Sequence, residues 1–504
     1  MHLDRDACYR ALLTRDARFD GRFFTAVRTT GIYCRPICPA RTPKLCNVVF
    51  MPSAAAAERA GFRPCLRCRP ETSPDIAAWH GTSSTVCRAL GLIAAGALND
   101  DSVDRLAGRL GMGERQLRRL FRKHLGTSPS VVAQTRRSHF AKQLITDTRL
   151  SMTDVALASG FGSVRRFNNA FRTLYGRAPR ALRRGDAIAS AGSSAVTLTL
   201  PYKPPYDWAA MIGFLSARAI PGVEQVGGGL YARTIAIGPA HGTIEVRPAA
   251  PRRGRHALLA TIRFPAVTAL PTIVDRIRRV FDLGADPAII EAHLSADPHL
   301  ARLIAARPGL RVPGAWDGFE LAVRAILGQQ ITVGAATRLA GKLVAAYGTK
   351  LPSCDCPGAP GLTSVFPSPE RLAGTDLGAT LGMPGARAAA ISSLAAAVTA
   401  DPGLFDPARG LDDAVIRLKA IPGIGEWTAQ YIAMRALREP DAFPAADVGL
   451  LRAMTTAAGR PTCAQLLTQG DSWRPWRAYA ALHLWTSAAA AAVPAKETCL
   501  ASAA

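Results

Sequence analysis

The sequence predicts a multidomain, mainly α-helical chain, and three observations lead to that class. Its 504 residues exceed what one hydrophobic core organises comfortably. Apolar residues make up 48% of the chain, enough to fill several cores and too many for a disordered polymer. Apolar side chains recur at helical spacing in two long stretches, and the chain falls into blocks of different charge and cysteine content.

The first block, residues 1–78, holds six of the 11 cysteines, with Gly and Pro between them. The second, 81–185, is helical and arginine-rich. Small polar residues at Gly185–Ser194 (GDAIASAGSS) mark a linker, taken as 186–195. Beyond it, Val196–Leu200 alternates like a strand, and from about Asp207 the pattern reads as a long helical domain. An alanine-rich tail, 491–504, closes the chain.

The net charge of +25 points to a polyanionic partner. The excess is uneven: residues 1–80 carry 13 basic and 7 acidic groups, residues 81–186 carry 19 and 7, and the remainder 30 and 23. A genome that favours arginine would raise the surplus everywhere and does not account for the second block. The start, MHLDRDACYRALL, lacks an apolar signal core, and no run of about 18 apolar residues spans a membrane. A cytoplasmic, nucleoid-associated protein with reduced cysteines is therefore expected. Clustered cysteines then imply metal or chemistry rather than disulfides.

Within the second block, Val103, Leu106, Ala107 and Leu110 form a helical stripe after Ser102, a candidate N-cap. After a Gly-Met-Gly turn come Leu117, Leu120 and Phe121, flanked by Arg115, Arg118, Arg119, Arg122 and Lys123. The pattern recurs: Val155–Ala158 as a short helix, Gly160–Gly162 as a turn and Ser163 as a second cap. A stripe of Phe167, Phe171 and Leu174 follows, with Arg165, Arg166, Asn168, Asn169 and Arg172 outside it. Two helix-turn-helix units follow, each placing its second helix in a major groove. Candidate DNA contacts are Arg118, Arg119 and Arg122 in one unit and Arg165, Arg166 and Asn169 in the other. Most such contacts go to phosphate rather than to bases.

In the first block, Cys34 and Cys38 are spaced C-x3-C, and Cys65 and Cys68 C-x2-C. Two close thiolate pairs bracketed by turn residues can close a tetrahedron around one Zn²⁺. Spacing alone favours a structural site, since four-thiolate zinc is mostly structural. Cys46 has no close partner and ranks below these four. The stretches FDGRFFTAVRTTGIYCRPICPAR and GFRPCLRCRPE resemble the N-terminal domain of the bacterial adaptive-response regulator. That resemblance implies that Cys34, Cys38, Cys65 and Cys68 bind zinc and that Cys34 accepts a methyl group from a DNA methylphosphotriester. Arg35 and Arg41 are candidates to steer the phosphate. The paired helix-turn-helix units resemble AraC-type regulators, in the order that the adaptive-response regulator shows. The Pro-Cys-His-Arg mark of that family's second methyl-transfer domain does not occur, so repair of O6-alkylguanine is not expected.

Residues 413–437 read as helix, hairpin, helix around Ile421-Pro422-Gly423-Ile424-Gly425. A Pro-Gly-x-Gly turn lets backbone N–H groups face a DNA phosphate at a helix N-terminus. A Pro-containing loop, Glu439–Pro444, leads to Asp447, which opens another helix. As an N-cap its carboxylate meets the positive end of the helix dipole, and an ionised carboxylate there could activate water or stabilise a positive sugar. Hairpin, loop and aspartate resemble the helix-hairpin-helix DNA glycosylase superfamily.

The segments YKPPYDWAAMIGFLSARAIPGVE, FDLGADP, ARPGLRVPGAWDGFELAVRAILGQQIT and WRPWRAYAALHLW resemble DNA-3-methyladenine glycosylase II. The resemblance implies a small N-terminal α/β subdomain, 196–310 with the start of the helical body, and an all-α helix-hairpin-helix catalytic body, 311–490. The full expectation is thus a small α+β zinc domain, an AraC-type double helix-turn-helix, the α/β subdomain and that body. It implies Asp447 as the catalytic aspartate, Trp427, Tyr431 and Trp485 around the base, and Gly423 and Gly425 on DNA. Electron-rich rings attract cationic alkylated purines and give a flipped base a stacking surface. Where backbone-cleaving relatives carry a lysine, the chain reads Gly425-Glu426-Trp427-Thr428, so a monofunctional enzyme is expected. The sequence departs from the family at Gln330, in the position of an apolar wedge, and at Val448, where an aromatic is frequent. A monovalent cation at the hairpin, double-stranded, alkylated and promoter DNA, RNA polymerase and a monomeric state complete the expectations. The rival is a transcriptional regulator with an inactive glycosylase domain.

Overall fold

The computed structural model describes residues 4–74, 84–99, 101–183, 195–250, 256–351, 359–406, 410–457 and 459–492. Of the linker read at 186–195 only Ala195 is described, and the tail beyond Ala492 lies outside the described residues.

The first domain begins with helix Arg5–Thr14, whose first turn donates to the side chain of its N-cap Asp4. Four short strands follow: β1 (Phe24–Val27), β2 (Ile32–Cys34), β3 (Val48–Met51) and β4 (Arg63–Pro64), in the order β3-β1-β2-β4. Strand β2 runs parallel to β4, with Tyr33 opposite Pro64. That register sets Cys34 beside Cys65 at the ends of the paired strands, so residues 31 positions apart meet with no long excursion.

The second domain contains helices Ser84–Ala94, Val103–Arg109, Glu114–Leu125, Pro129–Asp147, Met152–Ala158 and Val164–Tyr175. Ser102 and Ser163 cap as expected, accepting from the backbone N–H of Arg105 and Arg166. The buried stripes are Leu117, Phe121 and Leu125 in one second helix and Phe167, Phe171 and Tyr175 in the other. Strict i, i+4 spacing carries both stripes, whereas Leu120 and Leu174 lie half-buried beside them.

Helix Pro129–Asp147 joins the two units and touches the domains on either side. Thr135 donates to Glu58 at 2.6 Å, and Arg69 reaches Asp147 at 3.1 Å. Gln143 Nε2 donates to the backbone carbonyl of Thr199 at 2.8 Å.

The third region departs from the helical run that periodicity suggested after Asp207 and forms the strand-containing subdomain that the resemblance implied. Only helix Trp208–Ser216 is formed there before four strands intervene. With β5 (Val196–Pro201) these are β6 (Glu224–Gly227), β7 (Leu230–Ile237), β8 (Ala240–Pro248) and β9 (Ala257–Arg263). They make one antiparallel sheet in the order β5-β9-β8-β7-β6. Its β-branched, alternating strands bury Leu198, Leu200, Ile244, Val246 and Ile262 on one face. The same core includes Phe167, Phe171 and Ile145, so the sheet and the second helix-turn-helix unit share apolar packing. Mainly helical structure starts later, at Leu270–Val280, which packs into the sheet's core, and the helices from Pro287–Leu294 to Arg477–Ala492 surround a second large core.

A buried ionic cluster also joins the first domain to this half. Asp286 accepts from Arg22 Nη2 and Lys203 Nζ, each at 2.8 Å, and its side chain is 1% exposed. Burial lowers Lys203 to about 8, although Asp286 opposes that shift.

Candidate active site and candidate metal centre

The four Sγ atoms of Cys34, Cys38, Cys65 and Cys68 lie within 4.8 Å of one another, with Cys38 and Cys65 at 4.0 Å. A tetrahedron with bonds of about 2.3 Å has edges of about 3.8 Å, so the cage fits zinc. Cys38, Cys65 and Cys68 are buried and Cys34 is half-buried, the least enclosed residue of the four. Cys46 is exposed and outside the cluster.

Arg35 does not steer a phosphate. Its side chain turns inward, 7% exposed, to pair with Asp20 and donate to Thr72 at 2.8 Å and to the Cys68 carbonyl at 3.2 Å. Its backbone N–H donates to Cys68 Sγ at 3.4 Å. An unpaired guanidinium at this depth would be costly, so Asp20, 15 residues away, decides its direction. Arg41 remains exposed.

On the second helices, Arg119, Arg122, Arg165, Arg166 and Asn169 are exposed opposite the buried stripes. Arg118 is half-buried and paired with Glu114 at 2.6 Å, one turn back, so it is less free to reach DNA than its neighbours.

The hairpin lies between helices Leu411–Lys419 and Glu426–Arg435. Gly423 has φ +88°, and a Cβ there would sit 2.3 Å from Ala390 Cβ in the neighbouring helix. The turn therefore packs where only glycine fits. Gly425 caps the second helix with no side chain of its own, in open space. The Gly328–Gln330 turn is fastened to this hairpin: Gln329 Nε2 donates to the Gly423 carbonyl at 3.1 Å and to Thr428 at 3.2 Å. Arg387 donates to the Gln329 carbonyl at 2.7 Å. Gln330 projects from the turn, exposed and at φ +60°. Gly423→Ala is expected to destabilise by about 1–3 kcal/mol and to weaken duplex binding. Gly425→Ala is expected to stay within about 0.5 kcal/mol of the parent. Thermal melts paired with a DNA titration separate the two roles.

Asp447 is the N-cap of helix Val448–Ala453. Its Oδ1 accepts from the backbone N–H of Gly449 at 2.8 Å and Leu450 at 3.1 Å, and from Trp485 Nε1 at 2.8 Å. Its Oδ2 accepts from Trp427 Nε1 at 2.9 Å. Both oxygens thus serve as acceptors only, and two of the four donors come from the aromatic wall itself. Gly449 leaves room for this: a Cβ there would lie 2.9 Å from Asp447 Oδ1.

Trp427 and Tyr431 stack at 5.2 Å and 9°, and Trp485 meets Tyr431 edge-on at 6.4 Å. All three are half-buried. Three residues that sequence reasoning did not single out complete the wall. Arg435 Nη1 donates to the Tyr431 hydroxyl at 2.6 Å, while its Nε is held by the Pro313 carbonyl at 2.7 Å. Arg218 and Arg435 approach the Phe214 ring centroid to 3.8 and 4.7 Å. Burial alone would raise the Tyr431 phenol, but the Arg435 and Arg218 guanidiniums beside it lower it overall. The i, i+4 spacings of Phe214 with Arg218 and of Tyr431 with Arg435 were the available signal. They join only once the sheet subdomain docks on the body.

Four family models match in succession: "Metal binding domain of Ada" over residues 7–71, "Helix-turn-helix domain" over 106–185, "AlkA N-terminal domain" over 197–317, and "HhH-GPD superfamily base excision DNA repair protein" over 323–478. The chain is 44% identical over 492 residues to the "Probable bifunctional transcriptional activator/DNA repair enzyme AlkA" of Mycobacterium tuberculosis, covering 97% of each. It is 37% identical over 292 residues to "DNA-3-methyladenine glycosylase 2" of Escherichia coli, covering 57% of this chain and 96% of that one. A 3-methyladenine DNA-glycosylase from Archaeoglobus fulgidus shares the fold, with TM-score 0.51 and 21% identity over 58% of this chain and 99% of that one.

Proposed function

Because the chain belongs to the family of bifunctional AlkA-type proteins, in which Ada-like regulatory domains precede a helix-hairpin-helix glycosylase, we propose that it senses and repairs alkylated DNA. Its C-terminal half is a monofunctional 3-methyladenine glycosylase, and the observation that carries this is Asp447 at the aromatic wall beside the hairpin.

Gly423 and Gly425 grip the backbone while Gln330 occupies the gap left by a flipped nucleotide. The base stacks against Trp427, Tyr431 and Trp485, whose faces favour positive charge. As the N-glycosidic bond breaks, its electron pair stays with the base, and Asp447 stabilises the positive sugar while water adds to it. The start of the second hairpin helix, Gly425-Glu426-Trp427-Thr428, offers no lysine for a Schiff base, so an abasic site is the product. A monovalent cation on hairpin carbonyls would strengthen the grip without entering the chemistry.

The N-terminal half acts on methylphosphotriesters. Zinc, when bound, keeps Cys34, Cys38, Cys65 and Cys68 deprotonated. The Cys34 sulfur attacks the methyl carbon; the S–C bond forms, the C–O bond breaks, and the phosphate diester leaves with the electron pair. One negative charge is thereby lost from the centre, and its repulsion of DNA falls. Arg119, Arg122, Arg165, Arg166, Asn169 and, less freely, Arg118 then hold promoter DNA, with RNA polymerase as the further partner. The protein acts as a monomer on the bacterial nucleoid. Purified protein tested for release of 3-methyladenine from alkylated DNA, and for capture of label from methylphosphotriester DNA, checks both halves. Release without capture would leave a glycosylase with a structural zinc domain, and neither would leave a DNA-binding regulator.

A further inference from the structure

The hydrogen-bond polarity of Tyr431 has a consequence for which bases leave fastest. Its hydroxyl oxygen accepts a hydrogen bond from Arg435 Nη1 at 2.6 Å, and the Arg218 guanidinium is a second positive charge beside it. A guanidinium has donors and no acceptor, so neither neighbour can take the phenol proton. Arg435 cannot turn away, because Nε is bound to Pro313 and Nη2 to Gly314 at 3.3 Å. Among the described residues no side chain or carbonyl accepts from Tyr431. The phenol O–H is thus an uncommitted donor, on a ring that Trp427 fixes by stacking. Tyr431 meets Trp485 edge-on, and both indoles donate to Asp447.

We propose that Tyr431, oriented by Arg435 and Arg218, is a specificity-determining donor that reads a lone-pair acceptor on the edge of the extruded base. Arg435 is a positioning residue and acts through Tyr431. This deepens, and rests on, the glycosylase function proposed above.

The donor distinguishes two classes of base. A cationic N-alkylpurine leaves as a neutral molecule, so no negative charge builds up on it and an added donor gains little. A neutral oxopurine leaves with the glycosidic electron pair and becomes an anion until it takes a proton from solvent. Water adds to the sugar carbon and gives its own proton to solvent, so Tyr431 begins and ends protonated. A donor aimed at the carbonyl or ring nitrogen of that base strengthens as the bond breaks, which is transition-state stabilisation. The guanidiniums behind the phenol add to the effect for an anion and oppose a cation.

The experiment is single-turnover excision by the full chain from two duplexes, one carrying hypoxanthine and one methylated to carry 3-methyladenine. For Tyr431→Phe, which keeps the stack on Trp427, the ratio of hypoxanthine to 3-methyladenine rates is expected to fall about ten-fold. Arg435→Gln is expected to move the ratio in the same direction, and a thermal melt shows whether that variant is folded. Equal losses on both substrates would overturn the proposal, since mere loosening of the wall does that. Hypoxanthine left untouched by the parent, with 3-methyladenine released, would overturn it while leaving the glycosylase intact. Release of neither base would remove the function on which it rests.

Discussion

Asp447→Asn is expected to lower excision of 3-methyladenine about a thousand-fold while leaving the protein folded. The two expectations come from different parts of one side chain. Asparagine is as good an N-cap as aspartate, and its carbonyl can still accept from Gly449, Leu450 and Trp485 as Oδ1 does now. The NH2 group would then stand where Oδ2 accepts from Trp427 Nε1, so two donors would face each other. The negative charge that stabilises the developing sugar cation would be gone. A melting temperature near that of the parent, combined with lost release, assigns the chemistry to the carboxylate. Equal release by both proteins would move it to another residue.

Removal of zinc, and separately Cys34→Ala, should have effects as large on the N-terminal half. Three of the four cysteines are buried in a domain whose remaining apolar clusters are small. Binding free energies of about 10–16 kcal/mol are typical of structural zinc in small domains, so a strong chelator should melt this one. Circular dichroism with zinc release followed by an indicator dye would record it. Cys34→Ala keeps the three buried ligands but removes the least enclosed of the four cysteines, so capture of methyl label should vanish. In the parent protein, mass spectrometry should place the methyl group on the peptide containing Cys34. Label found on Cys38, Cys65 or Cys68 instead would contradict the exposure argument.

Much of this molecule was legible residue by residue. Ser102, Ser163 and Asp447 announced helix starts, because an N-cap bonds to N–H groups two or three positions ahead. The two cysteine pairs and the Pro-Gly turn were equally local, and the structure forms the cage and hairpin where the spacing placed them. Periodicity missed the strands after Asp207, which only the family resemblance implied as part of an α/β subdomain, because an antiparallel sheet is stabilised by partners outside the window that periodicity samples. Thr197 finds Thr261 and Tyr231 finds Val246 only after the chain has folded back.

The same distinction runs through the site. The sequence by itself determined which residue types were present and which sat at helix ends. Tertiary structure alone decided that Arg35 turns inward to Asp20 and that Gln329 fastens its turn to the hairpin. It also decided that Trp427 and Trp485, 58 positions apart, both donate to Asp447, and that Arg435 fixes the phenol of Tyr431. The physical reason is that a buried polar group must find a partner wherever packing offers one, and sequence separation does not enter that requirement.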